Sequence, residues 1–205
     1  MLNKNINKKN CNNSFISKNT SESSIKIFGF WIYLMSDFII FAALLATYSV
    51  LRNGIYNGPS EIKIFNCNKV VIETFILYFS SISYDISMSY SKENKNKKVQ
   101  IWLLITLILG CFFIFIETNE LYSLIIKGFI PSKSAFLSSL FVLLITHGIH
   151  LIIGIIWIIL VFIKILYYGL TKTNKTKLKC LSLFWHFLDI IWMCIYSIVY
   201  MIGVT

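Results

Sequence analysis

The stretch Trp185-His186-Phe187-Leu188-Asp189-Ile190-Ile191-Trp192 places a histidine and an aspartate inside a run that is otherwise apolar enough to cross a membrane. An ionisable side chain at such a depth costs about 2.5–3.5 kcal/mol on insertion scales, and more when isolated. It therefore needs a partner, a protonated form or a polar cavity. The run implies an integral membrane protein whose helices meet one another through polar contacts.

The rest of the chain carries the same signature. Of its 205 residues, 57% are hydrophobic, against about 45–50% in an ordinary globular domain. They gather into five blocks, at about residues 27–51, 70–90, 99–120, 137–163 and 181–203. Each approaches or exceeds the ~17–25 residues needed to cross the hydrocarbon layer. A lipid-exposed backbone must satisfy its own hydrogen bonds, so the blocks are predicted to be helices. The third is expected to continue past Glu117 toward Leu124, and the fourth is long enough to tilt. The predicted fold class is all-α: a polytopic bundle of five transmembrane helices forming one membrane domain over residues 25–205. Residues 1–24 are rich in Asn, Lys and Ser and lack the apolar core of a signal peptide. They are predicted to be a disordered cytoplasmic tail. Turn signals follow the first block at Asn53-Gly54 and Gly58-Pro59. Residues 91–98 read as a tight charged turn, 127–134 as an outer loop and 169–179 as an inner basic loop.

A net charge of +10 invites a nucleic-acid reading, but the distribution of charge opposes it. Five lysines precede the first block, four lie between blocks two and three, and five between blocks four and five. The other side has only five basic residues: Arg52, Lys63, Lys69, Lys127 and Lys133. The positive-inside rule then puts the N-terminus in the cytoplasm and the C-terminus in the periplasm. The basic side is expected to meet anionic phospholipid headgroups, and no nucleic-acid partner is expected. The five cysteines are scattered and form no Cys-x-x-Cys pair, so neither a disulfide framework nor a thiolate metal site is expected.

The intramembrane polar residues can be ranked by depth at 1.5 Å per residue. Asp37 lies roughly 15 Å from the cytoplasmic start of its span, and Asp189 roughly 12 Å into the fifth. His186 is a turn shallower, and Asp85 approaches the cytoplasmic side. Glu73, Glu117, Glu120, His147 and His150 fall in the outer half. Two sets are therefore expected: an outer one around Glu73, Glu117, His147 and His150, and an inner one around Asp37, His186 and Asp189. Asp189 is not expected to pair with His150. At 100° per residue, Trp185, Asp189, Trp192 and Tyr196 fall within about 60° of one another. His147, His150, Gly154 and Trp157 also share a face, where Gly154 would admit a neighbouring helix.

Two readings of these residues stay open. They are polar contacts that hold the helices together, or, at Asp37, a carboxyl that exchanges protons. Three histidines at two depths do not supply the ligands of a haem or metal centre. His186 and Asp189 lie one turn apart on a helix and do not form part of a Ser-His-Asp arrangement. No phosphate-cradling glycine loop is present. Catalytic, cofactor-binding and metal residues are all expected to be absent from this chain.

Three motifs then converge in order: residues 28–37 (Phe-Gly-Phe-Trp-Ile-Tyr-Leu-Met-Ser-Asp), 146–150 (Thr-His-Gly-Ile-His) and 183–192 (Leu-Phe-Trp-His-Phe-Leu-Asp-Ile-Ile-Trp). With Val71-Ile72-Glu73-Thr74-Phe75, Phe79-Ser80-Ser81-Ile82 and the 169–174 run, the chain resembles subunit III of the haem–copper respiratory oxidases. Within that family it resembles the bo3-type, ubiquinol-oxidising branch. The resemblance spans about residues 25–203 and implies a five-helix accessory subunit with no haem or copper of its own. Haem and copper would sit in subunit I; the partners would be subunits I, II and IV and phospholipids of the bacterial inner membrane. The implied role is assembly, stability and sustained proton uptake of a proton-pumping oxidase of aerobic respiration. The cytochrome c-oxidising relatives carry two more N-terminal helices and a carbodiimide-reactive glutamate at the position of Asp37, which is one methylene shorter. Glu73, His147, His150, His186 and Asp189 would be packing residues, and Glu117 is carried as a further intramembrane polar residue, structural or proton-related. The alternative from a different class is an independent proton-coupled transporter using Asp37 and Asp189.

Overall fold

Five long helices follow one another along the chain in this computed structural model, which describes the backbone of residues 2–52, 67–131 and 134–201 and the side chains of 24–51, 70–131 and 134–199. They are α1 (Leu2–Arg52), α2 (Cys67–Lys92), α3 (Asn96–Ile126), α4 (Ala135–Tyr168) and α5 (Lys172–Ile195). A π-helical turn, Tyr196–Met201, continues α5. Among the described residues, five segments are long and apolar enough to cross a membrane: Ser24–Leu51, Val70–Lys92, Asn96–Ile126, Ala135–Tyr168 and Lys172–Val199. The turn signals at Asn53-Gly54 and Gly58-Pro59 and the end of the fifth predicted block lie outside the described residues.

Two boundaries differ from the sequence reading. The backbone is helical from Leu2, where composition predicts a disordered tail. The segment contains no Pro or Gly before Gly29, and extending an existing helix is far cheaper than nucleating one. The expected inner basic loop 169–179 shrinks to Gly169–Thr171, because α5 already begins at Lys172. Thr171 caps it, its hydroxyl oxygen accepting from the Asn174 N–H at 3.3 Å. The third helix does run past Glu117, to Ile126.

α5 is central: it packs against α1, α2 and α4, while α2 pairs with α3 and α3 with α4. Its inward face buries Phe184, Trp185, Leu188, Ile191, Trp192 and Ile195. The close approach depends on small residues. A Cβ at Gly154 of α4 would lie 2.9 Å from Phe184 Cε1, and one at Gly110 of α3 would lie 3.1 Å from Trp185 Cη2. The opposite faces of α1, α3 and α4 carry exposed Ile, Leu and Phe, as a lipid-facing belt must.

The two short connections meet at one end of the bundle. Glu93–Lys95 joins α2 to α3, with Asn94 at φ 59°. Lys175 Nζ, from the first turn of α5, donates to Asn94 Oδ1 at 2.6 Å. Lys95 hydrogen-bonds Glu93 at 2.6 Å and holds that carboxyl below its ordinary value.

Candidate functional site: the intramembrane polar contacts

The polar side chains inside the bundle form three groups. The first lies where α2, α3, α4 and α5 converge. Glu73 and Glu117 are 1% and 5% exposed. With Glu120, Leu121, Leu124, Leu144 and Trp192 they line a cavity of about 10 Å³, close to the space of one water. Glu117 Oε2 also lies 3.5 Å from where a Cβ of Gly148 would stand. His147, fully buried, is packed as an aromatic plate. Its ring centroid is 5.3 Å from that of Trp192, 6.1 Å from Phe113 and 6.4 Å from Phe41. Neither of its nitrogens has a hydrogen-bond partner among the described residues. Trp192 meets Phe113 edge-on at 4.8 Å and donates its Nε1–H to Thr74 Oγ1 at 3.2 Å.

The second group joins α1 to α4. His150 Nδ1 donates to the Thr146 carbonyl at 2.7 Å, which turns Nε2 toward Asp37 Oδ2 at 3.8 Å. That separation is an ion-pair distance rather than a hydrogen bond. Tyr33, one turn earlier on α1, hydrogen-bonds the Asp37 carboxyl, and the Phe41 ring stands edge-on to His150 at 5.2 Å.

The third group runs along α2 and α5. His186 bridges two α2 side chains, through Nε2 to Asp85 Oδ1 at 2.9 Å and through Nδ1 to Ser81 Oγ at 3.0 Å. Asp189 hydrogen-bonds the same Ser81. Deeper in the same interface, Trp185 Nε1 donates to Ser80 Oγ at 3.2 Å, and Ser80 Oγ donates to the Thr106 carbonyl of α3 at 3.4 Å. Tyr84 donates its hydroxyl to the Leu178 carbonyl at 2.8 Å.

The expected division by depth fails at Asp37. It pairs with His150, assigned to the outer set, and His186 and Asp189 instead meet Ser81 and Asp85. At 1.5 Å per residue Asp37 lies roughly 15 Å and His150 roughly 21 Å from the cytoplasmic ends of their spans, a difference of only about 6 Å. Two side chains and a modest tilt close that gap. α4, at 34 residues, is long enough to require tilt or protrusion. The sequence reading also missed the serines of α2. Ser80, Ser83, Ser87 and Ser91 are buried, and Ser87 donates to the Val99 carbonyl of α3 at 3.3 Å. Their spacing of three and four residues was the available signal for a close helix contact.

Among the described residues, no three His, Cys, Asp or Glu side chains are grouped to hold a metal ion. The polar groups tie helix to helix: α1 to α4, α2 to α5, and α2 to α3. This defines a bundle of membrane-length helices joined to one another by polar side-chain contacts. The chain matches the cytochrome c oxidase subunit III family over residues 11–204, nearly its full length, and belongs to that family. It is 45% identical over 177 residues to the cytochrome bo(3) ubiquinol oxidase subunit 3 of Pseudomonas aeruginosa, covering 86% of this chain and 85% of the relative. The protein of that name from Buchnera aphidicola subsp. Baizongia pistaciae is 47% identical over 187 residues, covering 91% and 96%. The chain is thus a multi-pass membrane subunit of a terminal oxidase, accessory to the oxidoreductase rather than its redox centre.

Proposed function

We propose that this chain is subunit III of a proton-pumping ubiquinol oxidase, acting with subunits I, II and IV and with phospholipids in a bacterial inner membrane. Electrons pass from ubiquinol to oxygen through haem and copper on subunit I. This chain supports assembly, stability and sustained proton uptake. The observation that carries the reading is likeness over 86% and 91% of the chain to subunits named for ubiquinol oxidation. The internal chemistry agrees with it. Asp37, Glu73, Glu117, His147, His150, His186 and Asp189 act as packing groups, and Asp37 is the carboxyl best placed to exchange a proton, beside His150 and Tyr33. The N-terminus is cytoplasmic and the C-terminus periplasmic, because basic residues crowd one side.

The test is purification in mild detergent with haem spectroscopy and identification of the accompanying chains. A haem- and copper-bearing chain is expected to co-purify, with quinol-dependent oxygen uptake in the preparation. Recovery of this chain without a haem protein, together with proton-coupled substrate flux in liposomes, would overturn the reading in favour of a transporter.

A further inference from the structure

Asp85 and His186 stand apart from the other ionisable groups of the spans. Their side chains are 58% and 38% exposed, whereas those of Asp37 and His150 are 10% and 17% exposed. Asp85 lies seven residues before Lys92, the last residue of α2, about 10 Å along the axis. Ser89 and Lys92, four and seven residues on, share its face and are also exposed. α2 is the least apolar of the five membrane-length segments. Asp85 therefore has a polar track to the end of the bundle where the two short connections meet.

From Asp85 the contacts run inward without a break. Asp85 Oδ1 meets His186 Nε2 at 2.9 Å, and His186 Nδ1 meets Ser81 Oγ at 3.0 Å. Ser81 is buried and hydrogen-bonds Asp189. Asp189 Oδ1 is shut from solvent and has no hydrogen-bond partner among the described residues. Each of these four side chains can both take and give a proton. The other half-buried imidazole differs: Nδ1 of His150 rests on the Thr146 carbonyl, which cannot hand a proton on. The titratable groups that α1 and α4 bring toward α5 are engaged apart from this chain. Asp37 pairs with His150, and His147 and His150 stand against the Phe41 ring. On α5 itself, Cys194 lines the same groove as Asp189.

We propose that Asp189 is a proton-binding site that exchanges with water at one end of the bundle through Ser81, His186 and Asp85. In an inward transfer, Asp85 takes a proton from water and gives it to His186 Nε2. The His186 Nδ1–H passes its proton to Ser81 Oγ, and the Ser81 hydroxyl passes its own to the Asp189 carboxylate. One proton has entered, only O–H and N–H bonds have changed, and the reverse passage empties the site. The inference deepens the proton-uptake part of the role proposed above and rests on it.

The test is a rapid pH drop applied to membranes that hold this chain in its complex. The carboxylic-acid infrared band of Asp189, assigned by its loss in Asp189→Asn, is followed in time. Ser81→Ala and His186→Phe are each expected to slow its rise by about a hundred-fold, the lower end of what a positioned acid or base contributes to a proton transfer. Ser81→Thr, which keeps the hydroxyl, should preserve the rate. A purely structural role would leave the rate unchanged, or raise it as loosened packing admits water. Unchanged or faster protonation in either Ser81→Ala or His186→Phe, or no Asp189-dependent band at any pH the complex survives, overturns the proposal. Co-purification of a haem protein from the same membranes tests the subunit reading separately. A parent chain that loads Asp189 through the relay yet brings down no haem protein upholds the relay and overturns the subunit.

Discussion

A single carbon at Gly154 separates a packed bundle from a strained one. A methyl group there would stand 2.9 Å from Phe184 Cε1 and 3.2 Å from Trp185 Cζ3, both on buried rings that cannot swing away. Gly154→Ala is expected to cost about 1–3 kcal/mol, the usual range for overpacking. Thermal unfolding in detergent measures it. Gly29→Ala is the control: nothing lies within 4 Å of its added carbon, so stability should stay the same or rise slightly. The role of Gly154 was legible from its position on the His147–His150 face. The partner of Asp37 was not, because helical rise gives distance along an axis and leaves tilt and side-chain reach undetermined. Asp85 was placed at the right end of α2, yet its bond to His186 depends on how two helices rotate toward each other, which no single-helix pattern contains.

The elements were easier to read than their ends. Five apolar blocks translate directly into five helices, since lipid leaves the backbone few alternatives. The ends mislead where charge imitates a loop: residues 172–179 are lysine-rich, yet Lys is a good helix former and Thr171 supplies the cap. The α2–α3 connection allows a sharper test. Asn94 sits at φ 59°, a conformation that costs most L-residues about 1–2 kcal/mol. Asn94→Ala should lower stability by about that amount in detergent, whereas Asn94→Gly should largely keep it. Glu93→Gln should change nothing measurable at neutral pH. The Glu93–Lys95 pair is present above the carboxyl's ordinary range and is lost as pH falls through its lowered value, but it lies in solvent and salt screens it.

At the scale of the molecule, the charge asymmetry predicts orientation. A reporter enzyme active only outside the cytoplasm should work when fused after Thr205. It should fail when inserted in the Glu93–Lys95 turn, and the reverse pattern would invert the topology. The 183–192 motif identified the family because its residues serve several contacts at once: Trp185 and Trp192 fill the centre while His186 and Asp189 reach across to α2. What the motif left hidden was direction. His186 and Asp85 look outward, a property of the assembled bundle.

The brevity of the two connections bears on how the chain is built into the bilayer. Three residues link α2 to α3 and three link α4 to α5, a reach of about 10 Å even when fully stretched. Neither pair can drift apart once both helices have left the ribosome. Biogenesis is thereby reduced to three deliveries: α1 alone, then two helical hairpins.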